Sequence, residues 1–335
     1  MQETRERVLD ALSEGPVTGP ELAERLDVSR AAVWKHVEAL REEGFGIASE
    51  DEGYALAEVP EFGGAAVEYG LEAPFDVEFH DSIPSTNARA RDLAGEGAAD
   101  VAVLADEQTG GRGRLDREWS SPSGGIWLSL LVRPDVPATH APTFTLAAAV
   151  AVTRAAREAG VDAGIKWPND VVVSGANDGP SERSSDDVVV PGEGREGGAV
   201  ERKLAGILTE MEGEADRVSW VVVGMGINAN VDPEELPSEA RPATLSGEVG
   251  AVDRRLFTQR VVEEFDELRS EPESVVPAWR EYATTLGRRV RVDTSAGEVV
   301  GEAVDIEFPG ALVVDTGDER VTVTAGDCEH LRPVE

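Results

Sequence analysis

Apolar and polar positions near the start of the chain recur at helical spacing, whereas those near its end alternate every second residue. In "TRERVLDALSEG", Val8, Leu9 and Leu12 share one helical face. "GPELAERLDV" predicts a second helix, with Pro20 at a favoured first-turn position and Leu22, Ala23 and Leu26 turned inward. "SRAAVWKHVEALREEG" predicts a third, with Ser29 as N-cap and Val33, Val37 and Leu40 at core spacing. "GIASEDEGYAL" then reads as a short hairpin. Three helices and a hairpin within residues 1–59 predict a winged helix-turn-helix, whose third helix would present Arg30, Trp34 and Lys35 to DNA. The plainer alternative is a small helical packing module.

Residues 60–284 alternate strands and helices. "VAVLA", "GIWLSLLV", "IKWPNDVVV", "KLAGILTEM" and "VSWVVVGMG" are strands. "APTFTLAAAVAVTRAAREAG" and segments near 253–269 and 274–284 are helices. The pattern predicts an α+β layer with a mixed sheet. Residues 174–201, rich in Gly, Ser and acid, predict a mobile acidic surface insertion between two strands. From residue 285 to 335 the pattern changes to short alternating strands with Gly and Asp turns, which suggests a small β-barrel.

Composition narrows the class. The 335 residues suffice for two or three domains, and no run of about 18 apolar residues suggests a membrane span. The first residues have no signal-peptide core, Cys328 is the single cysteine, and four scattered histidines show no metal-ligand spacing. A cytoplasmic protein is expected. The formal net charge is -35, and only Lys35, Lys166 and Lys203 among 31 basic residues are lysines. Such a chain fits a halophilic cytoplasm of very high salt, where screening shortens charge repulsion to a few Å. Where lysine is so scarce, each one invites a question.

"VVVGMGINA" matches the G-x-G-x-x-A dinucleotide fingerprint, but Pro233 and Pro237 prevent a long helix from opening behind it. The glycines are better read as allowing close backbone approach to a ligand, with Asn228 as a polar tip. Four polar clusters remain at strand ends: "PSTN" (84–87), "EQTGGRGR" (107–114), "KWPND" (166–170) and "RKLAGIL" (202–208). Glycine and arginine crowd together in "TGGRGRLDREW", in a protein that is otherwise acidic. A cationic loop that an anion would order is one reading, and a solvated turn is the other. Lys166, flanked by Trp167 and Pro168, invites an anion-binding role over the pairing of a structural carboxylate.

The motifs "STN", "GRGR", "KWPND", "KLAGIL.E" and "G.GIN", in this order, resemble those of biotin–protein ligases. The N-terminal segment resembles the DNA-binding module of the bifunctional type, which is also a biotin operon repressor. The resemblance covers the chain except the 174–201 insertion. It implies a catalytic domain like class II synthetases and an SH3-like C-terminal barrel. The implied chemistry is attack of the biotin carboxylate on the α-phosphate of ATP, with Mg2+, followed by transfer to a lysine of a biotin carboxyl carrier protein.

By the same resemblance Lys166 would contact the carboxylate and the α-phosphate, with Arg114 as its catalytic partner. Arg112 and Arg114 would clamp the adenylate while Gly111 and Gly113 let the loop fold over it. Ser85, Thr86, Asn87 and Gln108 correspond to contacts of the biotin head. Gly206 and Gly226 would line its pocket. Trp119 would pack near adenine, with Asn169, Lys203 and Asn228 on the nucleotide and Asp170 near the metal. Operator DNA and a homodimer in the adenylate-bound state are the implied partners. Where many members have arginine-glycine-arginine after "GRGR", this chain has Leu115, Asp116 and Arg117. Asp116 would stiffen the loop and place a negative charge beside an anion site. A DNA-binding biotin sensor without ligase activity, and a lipoate–protein ligase, are the competing readings.

Overall fold

The computed structural model describes residues 3–50, 53–175, 200–214, 217–238 and 241–331. Helices α1 (Glu3–Ser13), α2 (Gly19–Leu26) and α3 (Arg30–Glu42) precede an antiparallel hairpin of β1 (Gly46–Glu50) and β2 (Gly53–Glu58). Side-chain oxygens set two of the helix starts. Thr18 accepts from the Glu21 N–H, and the Glu21 carboxylate accepts from the Thr18 N–H at 3.0 Å. Ser29 Oγ accepts from the Ala32 N–H at 3.1 Å, as its position predicts. Val8, Leu9, Leu12, Leu22, Leu26, Val33, Val37 and Leu40 form the core, whereas Ala23 is only partly buried. Arg30, Trp34 and Lys35 are exposed together on α3.

The central body runs through α4 (Gly64–Glu68), β3 (Asp76–Ile83), α5 (Thr86–Gly95), β4 (Val101–Gln108), β5 (Ile126–Val132) and α6 (Pro142–Glu158). It continues with β6 (Ala163–Lys166), β7 (Asp170–Gly175), β8 (Val200–Glu214), β9 (Arg217–Ile227), α7 (Leu245–Val249), α8 (Arg254–Ser270) and α9 (Pro272–Tyr282). Seven strands form one mixed sheet in the order β3-β4-β5-β9-β8-β7-β6. Only the β3–β4 pair is parallel.

The apolar runs follow from burial on both faces of this sheet. Along β4, Ala102 and Leu104 pack with α6 in the main core, while Val101 and Val103 pack under α5 with Ala90, Ala94, Leu131 and Val222. The period of two along a strand sends alternate residues to opposite layers. Behind β9 comes only a short turn at Pro233–Glu235 and the five-residue α7, so the fingerprint glycines open no helix.

The C-terminal strands β10 (Arg289–Thr294), β11 (Gly297–Glu307), β12 (Ala311–Asp315), β13 (Arg320–Val323) and β14 (Asp327–His330) form an antiparallel sheet. Its order is β13-β12-β11-β10-β14, and the edge strands β13 and β14 do not pair. The expected barrel is therefore an open five-stranded sheet among the described residues. The two edge strands, four residues each, make too few ladder bonds to close it. The expected 174–201 insertion also needs correction at its ends. Ser174 and Gly175 pair with Glu201 and Val200 across β7 and β8, and the rest lies outside the described residues.

Candidate active site

A cleft of about 1070 Å³ opens at the end of the central sheet, bounded by α5, the 112–119 loop, β8, β9 and the C-terminal sheet. That volume suits a nucleotide together with a small acid.

The polar end of the cleft is built around the start of α5. Ser85 is the N-cap, its Oγ accepting from the Ala88 N–H at 3.4 Å. The Thr86 N–H and hydroxyl both donate to Gln108 Oε1, at 2.9 and 3.0 Å. Gln108 Nε2 donates in turn to Ser121 Oγ at 3.0 Å. Ser129, fully buried on β5, places its hydroxyl 2.8 Å from Thr86 Oγ1 and 2.6 Å from Asn87 Oδ1. Asn87 Nδ2 donates to Glu210 at 2.7 Å, and Arg91 pairs with the same carboxylate at 3.1 Å. Gly224 lies beneath this network, where a Cβ would come within 2.1 Å of Asn87 Oδ1.

The cationic end holds Lys166 and Lys203. Lys203 Nζ pairs with Asp170 at 2.7 Å and lies 4.9 Å from the centroid of the Trp119 ring. Lys166, at the end of β6, lines the cleft, and no ion pair with a described residue holds its ammonium. The structural role weighed for a lysine here thus falls to Lys203. The Trp119 indole lies across Gly206 and Gly226; a Cβ on Gly226 would meet its Nε1 at 2.5 Å. In β9 the close approach is therefore made by Asn87 and Trp119. Trp119 Nε1 is buried without an acceptor among the described residues.

The Gly/Arg segment extends β4 as a narrow hairpin. Gln108 and Arg112 bridge to Ser121 and Glu118, and the Gly113 N–H donates to the Arg117 carbonyl at 2.8 Å. The left-handed positions fall on Leu115 and Asp116, both at φ 56, and not on the glycines. Each costs on the order of 1 kcal/mol in a non-glycine residue, and Asp tolerates it better than Leu. Gly111 serves close approach instead, since a Cβ would lie 2.5 Å from the Trp119 carbonyl oxygen.

Every loop arginine has a partner. Arg112 pairs with Asp116 at 3.2 Å. Arg114 donates to Asn169 Oδ1 at 3.2 Å and to the Gly326 carbonyl at 2.9 Å, and Arg117 pairs with Asp327. The C-terminal sheet thus supplies a carboxylate and a carbonyl to cations that would face an anionic ligand.

Most of the expected site residues meet in this cleft: Ser85, Thr86, Asn87, Gln108, Arg112, Gly113, Arg114, Trp119, Lys166, Asn169, Asp170, Lys203, Gly206 and Gly226 all line it. Gly111 and Asn228 do not line it. Asn228 is buried, its amide donating to the carbonyls of Lys203 at 3.2 Å and Ala243 at 3.1 Å. It joins β8 to the segment before α7. No group of three or more metal-binding side chains occurs among the described residues, and Asp170 stands as a lone carboxylate beside a lysine. Ser129 and Glu210 escaped the sequence reading. The first is a lone polar residue in an apolar strand, and the second closes the "KLAGIL.E" motif; those were the available signals.

Residues 79–228 match the biotin/lipoate A/B protein ligase family, residues 4–55 an HTH domain, and residues 285–331 the biotin protein ligase C-terminal domain. The chain is 34% identical over 329 residues to the bifunctional ligase/repressor BirA of Bacillus subtilis, covering 93% of each protein. It is 34% identical over 261 residues to a biotin–[acetyl-CoA-carboxylase] ligase of Mycobacterium tuberculosis, covering 74% of this chain and 86% of that one. A solved biotin protein ligase from Aquifex aeolicus, in complex with biotin and ATP, shares the fold. Its TM-score is 0.58 at 24% identity, over 77% of this chain and 99% of that one. Sheet, cleft and N-terminal module together define a ligase that carries its own helix-turn-helix domain. The chain belongs to the biotin–protein ligase family, in its bifunctional ligase/repressor form.

Proposed function

We propose that the chain activates biotin with ATP, transfers it to a lysine of a biotin carboxyl carrier protein, and represses transcription in response to the same ligand. In the first step a biotin carboxylate oxygen attacks the α-phosphorus and pyrophosphate leaves. In the second the uncharged amine of the carrier lysine attacks the acyl carbon, AMP leaves with the electrons of the broken C–O bond, and the nitrogen gives up one proton to solvent. The observation that carries this reading is the ammonium of Lys166, without an ion pair among the described residues, in one cleft with the polar network and the arginine loop. Two anions must be brought together, so a fixed cation at the reacting atoms is the main requirement.

Ser85, Thr86, Asn87 and Gln108 take the ureido ring, with Gly206 and Gly226 beside it. Arg112 and Arg114 hold the phosphate. Trp119, Lys203 and Asn169 hold the nucleotide, Asn169 also steadying Arg114. Asn228 acts indirectly, by fixing the backbone of Lys203, and Gly111 by seating the Trp119 turn. Asp170 would be the carboxylate beside a magnesium ion brought with ATP, and one carboxylate alone makes no protein-built site. The adenylate-bound form pairs as a homodimer on operator DNA. The acidic, lysine-poor surface suits a cytoplasm of very high salt.

A lipoate dithiolane has no polar group to join the network of Thr86, Asn87 and Gln108, whereas the ureido ring of biotin has donors and an acceptor, which favours biotin. The test is incubation of the pure protein with ATP and labelled biotin or lipoate. Biotinyl-adenylate and label on a carboxyl-carrier protein are expected. Release of pyrophosphate with lipoate alone would transfer the reading to that substrate, and release with neither would leave a sensor.

Two variants probe the binding groups. Ser129→Ala removes the partner shared by Thr86 and Asn87 and should weaken biotin binding about tenfold, the scale of one lost buried hydrogen bond. ATP affinity should hold; calorimetry that finds biotin affinity unchanged removes Ser129 from the site. Arg114→Ala should release bound adenylate roughly tenfold faster, as a charge-assisted bond to phosphate is lost. Equal release in a displacement assay would leave the segment a surface turn.

A further inference from the structure

Lys166 is held from behind by a chain of buried side chains drawn from three parts of the fold. The N–H of Trp167 donates to Thr285 Oγ1 at 2.9 Å. Thr285 Oγ1 lies 3.0 Å from His330 Nε2, and His330 Nδ1 lies 3.0 Å from a Glu201 oxygen. Thr285 is fully buried, and the side chains of His330 and Glu201 are only 8% and 14% exposed. Arg288 closes the group from the domain junction, 3.2 Å from Glu201.

One consistent order has Thr285 Oγ1 accepting from Trp167 and giving its own hydrogen to His330 Nε2, with the imidazole hydrogen on Nδ1 facing Glu201. Burial alone would raise the Glu201 carboxyl, but the His330 hydrogen bond and the charges of Arg288 and Lys166 outweigh it and hold the group low. On the other side of Lys166, the Ile165 carbonyl accepts from the Thr284 N–H at 2.8 Å and from its hydroxyl at 3.2 Å. Both peptide groups flanking Lys166 are thus tied to Thr284 and Thr285. The Trp167 indole adds a bond to the Gly310 carbonyl, 3.0 Å away in the turn between β11 and β12.

We propose that His330, acting through Thr285 and braced by Glu201, is a positioning residue for Lys166, so that the C-terminal sheet takes part in adenylate formation. The proposal rests on the assignment of Lys166 given above. A side chain at 330 that cannot span Thr285 and Glu201 as the imidazole does would leave the hydroxyl or the carboxylate buried without its partner. The strand end bearing the ammonium would then lose its fixed place. Displacement of a charge that acts in the transition state lowers rate more than it lowers ground-state affinity.

The experiment uses the full chain, with single-turnover pyrophosphate release and biotin affinity measured for H330Q, T285V, T285S, K166A and the H330Q/K166A pair. H330Q and T285V should each slow adenylate formation about tenfold while biotin affinity holds within about twofold. T285S, which restores the hydroxyl, should recover the rate to within about twofold. In the K166A background, H330Q should change the rate by less than about twofold, because the group it positions is gone. Wild-type rates in H330Q and T285V would overturn the proposal. So would a T285S as slow as T285V, or an H330Q loss that persists undiminished on K166A. K166A at the wild-type rate is a separate failure: it would overturn the Lys166 assignment itself.

Discussion

Lys166→Ala is expected to slow biotinyl-adenylate formation by about two orders of magnitude or more, the scale on which preorganised transition-state charge acts. The contrast between the two lysines of the cleft carries the expectation. Lys203 is committed to Asp170 at 2.7 Å and to the face of Trp119, so its charge is largely answered within the protein. Lys166 has no such partner among the described residues, and its charge reaches Glu201 and Cys328 behind it. Burial pushes the Cys328 thiol up to about 11, so it is neutral and offers Lys166 no counter-charge. With only Glu201 behind it and no ion pair among the described residues, a half-buried ammonium is costly for the free protein, and a carboxylate and a phosphate arriving together would offset that cost. Lys203→Ala serves as the comparison and should weaken ATP binding with a smaller loss of rate. Lys166→Arg keeps the charge but replaces a point cation with a planar fork, so only partial recovery is expected. Pyrophosphate release under single-turnover conditions reads all three, and near-normal release by Lys166→Ala would sink the assignment.

Sequence reading succeeded where local pattern and long-range packing demand the same residues. The N-cap at Ser29 is one case, and the apolar runs of β4, β5 and β9 are others, since strands covered on both faces have no polar face to show. It failed where partners lie far apart in the chain. Ser129 meets residues 42 and 43 positions away, Asn87 reaches Glu210 over 123, and Arg114 reaches Gly326 over 212. No periodicity encodes such meetings. β3 and α5 were missed for a related reason: α5 has only a small apolar face, resting on Ala90 and Ala94. In the loop, glycine was expected to supply the unusual backbone. Gly111 serves close approach, and the left-handed turn falls on Leu115 and Asp116. The C-terminal edge of the cleft, with Asp327 and His330, was invisible because β14 is only four residues long and shows too little alternation to predict a strand.

Replacing Arg30, Trp34 and Lys35 together by Ala should abolish sequence-specific DNA binding while adenylation stays within about twofold of wild type, since none of the three lines the cleft. All three are exposed on α3, and Trp34 is 56% exposed although no packing requires a tryptophan there. Residues 1–59 carry six Lys or Arg against fourteen Asp or Glu, a net of -8. Most DNA-binding domains gain affinity by neutralising phosphates and releasing counterions, and both sources are weak here, the second more so in molar salt. Direct contacts to base edges must therefore carry a larger share. Each good bidentate contact discriminates by about 1–3 kcal/mol, and a two-fold dimer applies it at both half-sites. The expected pattern is a preferred two-fold operator, weak binding elsewhere, a shallow salt dependence, and tightening by biotinyl-adenylate. Deleting residues 1–59 is a blunter version of the test, because Ala65 and Tyr69 pack against the core of this module and the cut uncovers them. Selection from genomic fragments at high salt, with adenylate bound, decides the matter. If the intact protein enriches no site, the repressor role falls and the ligase role stands. If the triple variant enriches the same site as the intact protein, recognition lies elsewhere than on α3.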